Sequence, residues 1–121
     1  MITETKVRKV EPDITVFEIS GRLNLGNTLV TIESAIRKLI DEGARKLVVE
    51  LSDVSYIDSS GIGMLVSCSG HMGHCSGHLR ISGAKGVVEK AFRIVHMDRI
   101  AALDGDVETA CMNLRAGGAA V

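Results

Sequence analysis

An acid, two hydroxyls and two glycines stand together in Tyr56-Ile57-Asp58-Ser59-Ser60-Gly61-Ile62-Gly63. Three kinds of chemistry draw on such a set. A nucleophilic serine needs a base, an orienting group and an oxyanion hole. No Gly-x-Ser-x-Gly elbow is present, and His71, His74 and His78 form one cluster downstream, so no triad is indicated and the chain is not read as an enzyme. A phosphate-cradling loop is the second possibility. Gly61-Ile62-Gly63 lacks the third glycine of a dinucleotide loop, and no Gly-Lys-Ser/Thr exists to hold a nucleoside triphosphate. The third possibility is a short polar side chain opening a helix. Its oxygen accepts from the unpaired first-turn amides, at an end whose partial positive charge also tolerates phosphate. Ser59 fits that description, either as a plain cap or as a modifiable hydroxyl, with Ser60 as the competing position.

One further constellation has metal-ligand residue types: His71, His74, Cys75 and His78. On a helix, His71 with Cys75, or His74 with His78, would share a face at four-residue spacing. Gly73 and Gly77 interrupt any such helix, so the stretch reads as a solvated, irregular helix end. No metal and no cofactor are expected.

The elements that position Ser59 are legible in the hydrophobic pattern. Lys6 to Val10, the turn Glu11-Pro12-Asp13, and Ile14 to Ile19 predict an antiparallel hairpin ended by Gly21. After the loop Arg22 to Thr28, Asn27 or Thr28 is expected to cap a helix whose buried face is Leu29, Ile32, Ile36, Leu39 and Ile40, with Gly43 ending it. Leu47 to Leu51 shows little alternation, which predicts a strand covered on both faces. The helix opened at Ser59 runs to about Met72. Its glycines and serines give it poor propensity, so packing through Ile62, Leu65, Val66 and Met72 must hold it. A short strand follows at Leu79 to Ile81. A third helix is expected to bury Val87, Val88, Ala91, Phe92 and Val95, then a brief strand at Ile100 to Ala102. A last helix carries Val107, Ala110, Cys111 and Leu114, capped by Asp104 or Asp106. The expected fold is α/β, with a mostly parallel central sheet, an N-terminal antiparallel hairpin and about four helices.

The whole chain sets outer bounds. Its 121 residues suit one domain, expected over 1–115 with a frayed tail at 116–121. A net charge of −1 gives no electrostatic case for nucleic acid or an anionic membrane surface. No apolar run reaches the ~20 residues of a membrane-spanning helix, so no membrane insertion is expected. The N-terminus has no signal-peptide pattern, and three cysteines in no framework spacing fit reduced thiols. The expected compartment is therefore the cytoplasm.

Taken together, the order hairpin, helix, strand, Asp-Ser-Ser-Gly-Ile-Gly, helix resembles the STAS domain of bacterial anti-sigma-factor antagonists. Gly21-Arg22-Leu23-Asn24, Leu47 to Val54, and above all Tyr56 to Gly63 carry the resemblance, which spans nearly the whole chain. It implies a binding module rather than an enzyme. The unmodified protein would bind an anti-sigma factor that is also a serine kinase, and so free a sigma factor. Phosphorylation of Ser59 would abolish binding, and a serine phosphatase would restore it. Asn24, Asp58, Ser60, Gly61, Ile62 and Gly63 would form the partner-binding surface. Stressosome scaffolds and a subunit of lipid-transport complexes share the fold, which gives the alternative of a constitutive subunit. Asn24 stands where many antagonists carry aspartate, and the glycine- and histidine-rich end of the second helix also departs from the usual pattern.

Overall fold

The computed structural model describes residues 2–117. Within them five strands lie side by side in chain order: β1 (Glu4–Val10), β2 (Ile14–Leu23), β3 (Lys46–Ile57), β4 (His78–Ser82) and β5 (Ala102–Asp104). β1 pairs antiparallel with β2, and every later pair is parallel. Four helices accompany them: α1 (Asn27–Asp41), α2 (Ser59–His74), α3 (Gly86–Ile94) and α4 (Val107–Arg115), with a 3-10 turn at Met97–Arg99. The fold class is the expected one. Among the described residues, no helix is long and apolar enough to cross a membrane.

The two-residue period of the strands divides the apolar residues between two layers. Phe17, Val49 and Ile81 face α1, α2 and α3, where Ile36, Leu65, Met72, Val88 and Phe92 complete the larger core. Val16 and Val48 point the other way, to a smaller core closed by Ala110, Cys111 and Leu114 of α4. Leu47 to Leu51 is wholly buried because helices cover both of its faces.

β2 and β3 run longer than the sequence suggests. Gly21 does not end β2 but lies inside it, at φ +100. A Cβ there would come within 2.8 Å of the Ile2 carbonyl oxygen and the Thr3 Cα, so the N-terminal segment is what requires glycine. The β2–β3 register shifts twice on the way to the Asp58 junction, between Glu18 and Ser20 and again between Gly21 and Arg22. Both irregularities are satisfied by side chains. The buried Glu50 carboxylate accepts the Ser52 amide at 2.6 Å, the Ser52 hydroxyl, and the Ser82 hydroxyl at 2.8 Å. Ser55 Oγ donates to the Gly21 carbonyl at 3.2 Å.

Several boundaries differ from expectation. Neither Asn27 nor Thr28 caps α1; the cap position is Gly26, which has no side chain to offer, and both residues lie in the first turn. α3 ends at Ile94, and Val87 is exposed because the burial of Val88 and Phe92 turns it outward. β5 begins two residues later than expected, since the 3-10 turn occupies Met97–Arg99 and leaves Ile100 exposed. Asp106 caps α4, accepting the Thr109 amide at 2.8 Å, whereas Asp104 belongs to β5 and pairs with Arg80. Of the expected tail, Ala116 and Gly117 follow α4 directly, and 118–121 lie outside the described residues.

Candidate functional site at the β3–α2 junction

β3, the central strand, delivers the chain to Asp58 at the carboxyl-terminal end of the parallel sheet, next to the point where β2 turns toward α1. The Asp58 amide donates to the Leu23 carbonyl at 3.1 Å, which ties the two exits together. With an extended backbone, Asp58 then caps α2. Its Oδ1 accepts the Gly61 amide at 3.0 Å, and its carbonyl accepts the Ile62 amide at 3.0 Å. Its other oxygen, Oδ2, accepts the Leu25 amide at 3.0 Å. The cap is therefore Asp58 and not Ser59. A carboxylate one residue earlier reaches the free amide at the third helical position, the usual acceptor geometry for a cap.

These bonds have an electrostatic consequence. The Leu25 amide and then the Gly61 amide hold the Asp58 carboxyl below its ordinary range, because both bonds favour the charged form. A fixed negative charge thus sits immediately before Ser59 at neutral pH.

With capping done by Asp58, Ser59 is the first residue of α2 and lies exposed. Ser60 is half-buried. Gly63 is exposed, with open space where a side chain would stand, and Ile62 is half-buried against the larger core. Gly61 behaves differently. It is buried, and a Cβ on it would meet the Leu23 carbonyl oxygen and come within 2.7 Å of the Ile57 side chain. The backbone that comes close to Gly61 is therefore this chain's own, at Leu23.

Leu25 joins the site across 33 residues of sequence through its amide on the Asp58 carboxylate, and Asn24 is its neighbour in the chain. Both are exposed, Leu25 to 78%. Leu25 was not singled out by sequence; an apolar residue in a polar loop was the only signal. Beside them the Arg22 guanidinium lies over the Tyr56 ring, 4.3 Å from its centre, on the opposite face of the sheet from Leu23 and Ile57.

The histidine-cysteine cluster does not assemble. His71 Nε2 is 2.8 Å from Asp41 Oδ1, Cys75 follows the last residue of α2, and His78 lies in β4. The helix ends before His74 and His78 can share a face. Among the described residues, no three His, Cys, Asp or Glu side chains are grouped to hold a metal ion.

Comparison with known proteins agrees with this architecture. A Thermotoga maritima protein provisionally named an anti-sigma factor antagonist is 22% identical over 107 residues, covering 88% of this chain and 95% of that protein. The crystal structure of an anti-sigma factor antagonist from Mycobacterium paratuberculosis superposes with a TM-score of 0.82 at 20% identity, covering 94% of this chain and 95% of that one. The Bacillus cell fate determinant SpoIIAA in its phosphorylated form gives 0.71 at 19% identity, covering 93% and 100%. At such identities the solved structures speak for the fold. The model of the STAS domain matches residues 5–110, and the chain belongs to the STAS domain family.

Proposed function

We propose that this protein is an anti-sigma-factor antagonist controlled by phosphorylation of Ser59. Unmodified, it binds a cytoplasmic anti-sigma factor that is also a serine kinase, and a sigma factor is released. Phosphorylated, it lets go until a serine phosphatase resets it. The observation that carries this reading is the position of Ser59: exposed, first in α2, and relieved of capping by Asp58. Two relatives are named anti-sigma factor antagonists, and a third, SpoIIAA, has been solved in a phosphorylated form.

The switch follows from charge. A phosphate adds about −1.5 to −2 charge beside a carboxylate already held ionised. The helix end tolerates it, so the domain need not refold. An interface that buries both charges without new cationic partners loses several kcal/mol, and about 1.4 kcal/mol is already tenfold in affinity. Asn24, Ser60, Ile62 and Gly63 form the docking edge around Ser59, supported from behind by Asp58 and Gly61.

The test is incubation with ATP and each kinase-type anti-sigma factor encoded in the same genome, followed by peptide mass spectrometry. A single phosphate on Ser59 is expected. Abundant phosphate on Ser60 with Ser59 clean contradicts the assignment.

A further inference from the structure

We infer that Leu25 is an apolar anchor for the partner that reads Ser59, and that Asp58 is the positioning residue that holds it out. The inference rests on the functional reading above and names a contact which that reading lacks. An exposed leucine alone means little, since folded surfaces carry many apolar atoms. Leu25 is different because its side chain is 78% exposed while its backbone is pinned. Asp58 Oδ2 takes its amide at 3.0 Å. Leu23, two residues earlier, accepts the Asp58 amide on its carbonyl at 3.1 Å, and the following Gly26 is the cap position of α1. A side chain presented on a fixed backbone loses little further freedom on binding, which is how rigid anchors gain affinity.

Geometry also commits the occupant. A typical interface covers ~800 Å² per partner, a disc of roughly 16 Å radius. A partner centred on Ser59 cannot avoid a residue hydrogen-bonded to Asp58, the immediate neighbour. The partner therefore presents a shallow apolar pocket for Leu25 beside the surface that senses charge at Ser59. Asp58 serves both parts with one carboxylate, its Oδ1 on the α2 cap and its Oδ2 on the anchor loop.

Asp58→Asn separates the two roles. Asparagine caps a helix about as well as aspartate, but it has one accepting oxygen in place of two; with that oxygen on the Gly61 amide, the cap stays and the Leu25 bond is lost. The experiment measures affinity of the full chain, unphosphorylated, for the kinase-type anti-sigma factor that phosphorylates it, alongside amide hydrogen exchange by NMR. Leu25→Ser is expected to weaken binding about tenfold or more, and Leu25→Met to restore most of it. Asp58→Asn should expose the Leu25 amide to exchange, leave the Gly61 amide protected and weaken binding severalfold. The double variant Leu25→Ser, Asp58→Asn should bind no more weakly than Leu25→Ser alone, because Asp58 acts through Leu25. Wild-type binding that Ser59→Asp abolishes but Leu25→Ser leaves unchanged overturns the anchor and spares the functional reading. Independent, additive losses overturn the positioning role of Asp58. A wild-type chain that binds no such factor overturns both.

Discussion

Asp58 places one carboxylate on two amides, so its ionisation is the residue-scale variable to perturb. Its folded-state pKa is depressed, chiefly by Leu25 and then by Gly61. The stabilisation is therefore complete above the unfolded-state value of about 3.9 and is lost as pH falls through the lower folded value. The denaturation midpoint of the wild type should drop on acidification through that window, more steeply than that of Asp58→Asn. Equal slopes would assign the acid sensitivity to other carboxylates, such as Asp106, whose pKa the Thr109 amide lowers in the same sense. The cysteines give a second residue-scale prediction. Burial, aided by the charge of Glu33, pushes the Cys68 thiol up to about 12. Cys111 is buried too, and Cys75 only partly. Iodoacetamide at mildly alkaline pH should label native Cys75 first, and Cys68 only after unfolding; early labelling of Cys68 would show that the α2 core opens. The acid and hydroxyl pair at 58 and 59 was visible in the sequence. Which of them caps was not, because both residue types are favoured there. Leu25 was hidden as well, since its link to Asp58 spans 33 residues.

At the scale of elements, two glycines near the start of α2 should answer substitution in opposite directions. Gly61→Ala forces a methyl against the Leu23 backbone and the Ile57 side chain, an overpacking expected to destabilise by about 1–3 kcal/mol. Gly63→Ala meets nothing within 4 Å, so its better helix propensity should stabilise by up to about 1 kcal/mol. Thermal denaturation checks both signs. If Gly63 lies on the docking edge, the same Gly63→Ala protein should bind its partner more weakly although it is more stable; unchanged binding would remove Gly63 from the interface. α1, α3 and α4 were legible because each buries a regular stripe, as Leu29, Ile32, Ile36 and Ile40 do. α2 was legible as packed rather than intrinsically helical. What stayed hidden is tertiary in origin. The β3 irregularities depend on Glu50 reaching Ser52 and Ser82 on two strands, and the start of α1 depends on a glycine followed by residues whose capping ability goes unused.

Across the whole molecule, the parallel sheet and its leading hairpin follow from alternating elements, but the distribution of helices over two faces does not. Among the described residues α4 is the helix that closes the second core, and its attachment is partly polar. Arg80 Nη2 donates to Asp104 Oδ1 at 3.1 Å, and Asn113 Nδ2 of α4 donates to the same oxygen at 2.6 Å. The Arg80 and Asp104 side chains are only 8% and 3% exposed. Asp104→Ala would leave a buried guanidinium without its carboxylate, an expected loss of about 3–5 kcal/mol measurable by denaturant titration. A loss below about 1 kcal/mol would mean that solvent or other groups around Arg80 compensate for the missing carboxylate, as at a surface pair. The proposed charge switch at the β3–α2 junction asks for no refolding of this framework. The most direct measurement of the switch is the affinity for the phosphorylating anti-sigma factor of wild type, Ser59→Ala and Ser59→Asp side by side. Binding by wild type and Ser59→Ala, with a loss of about tenfold or more for Ser59→Asp, is the predicted result; equal affinity of all three would contradict phosphorylation control and leave a constitutive contact in its place.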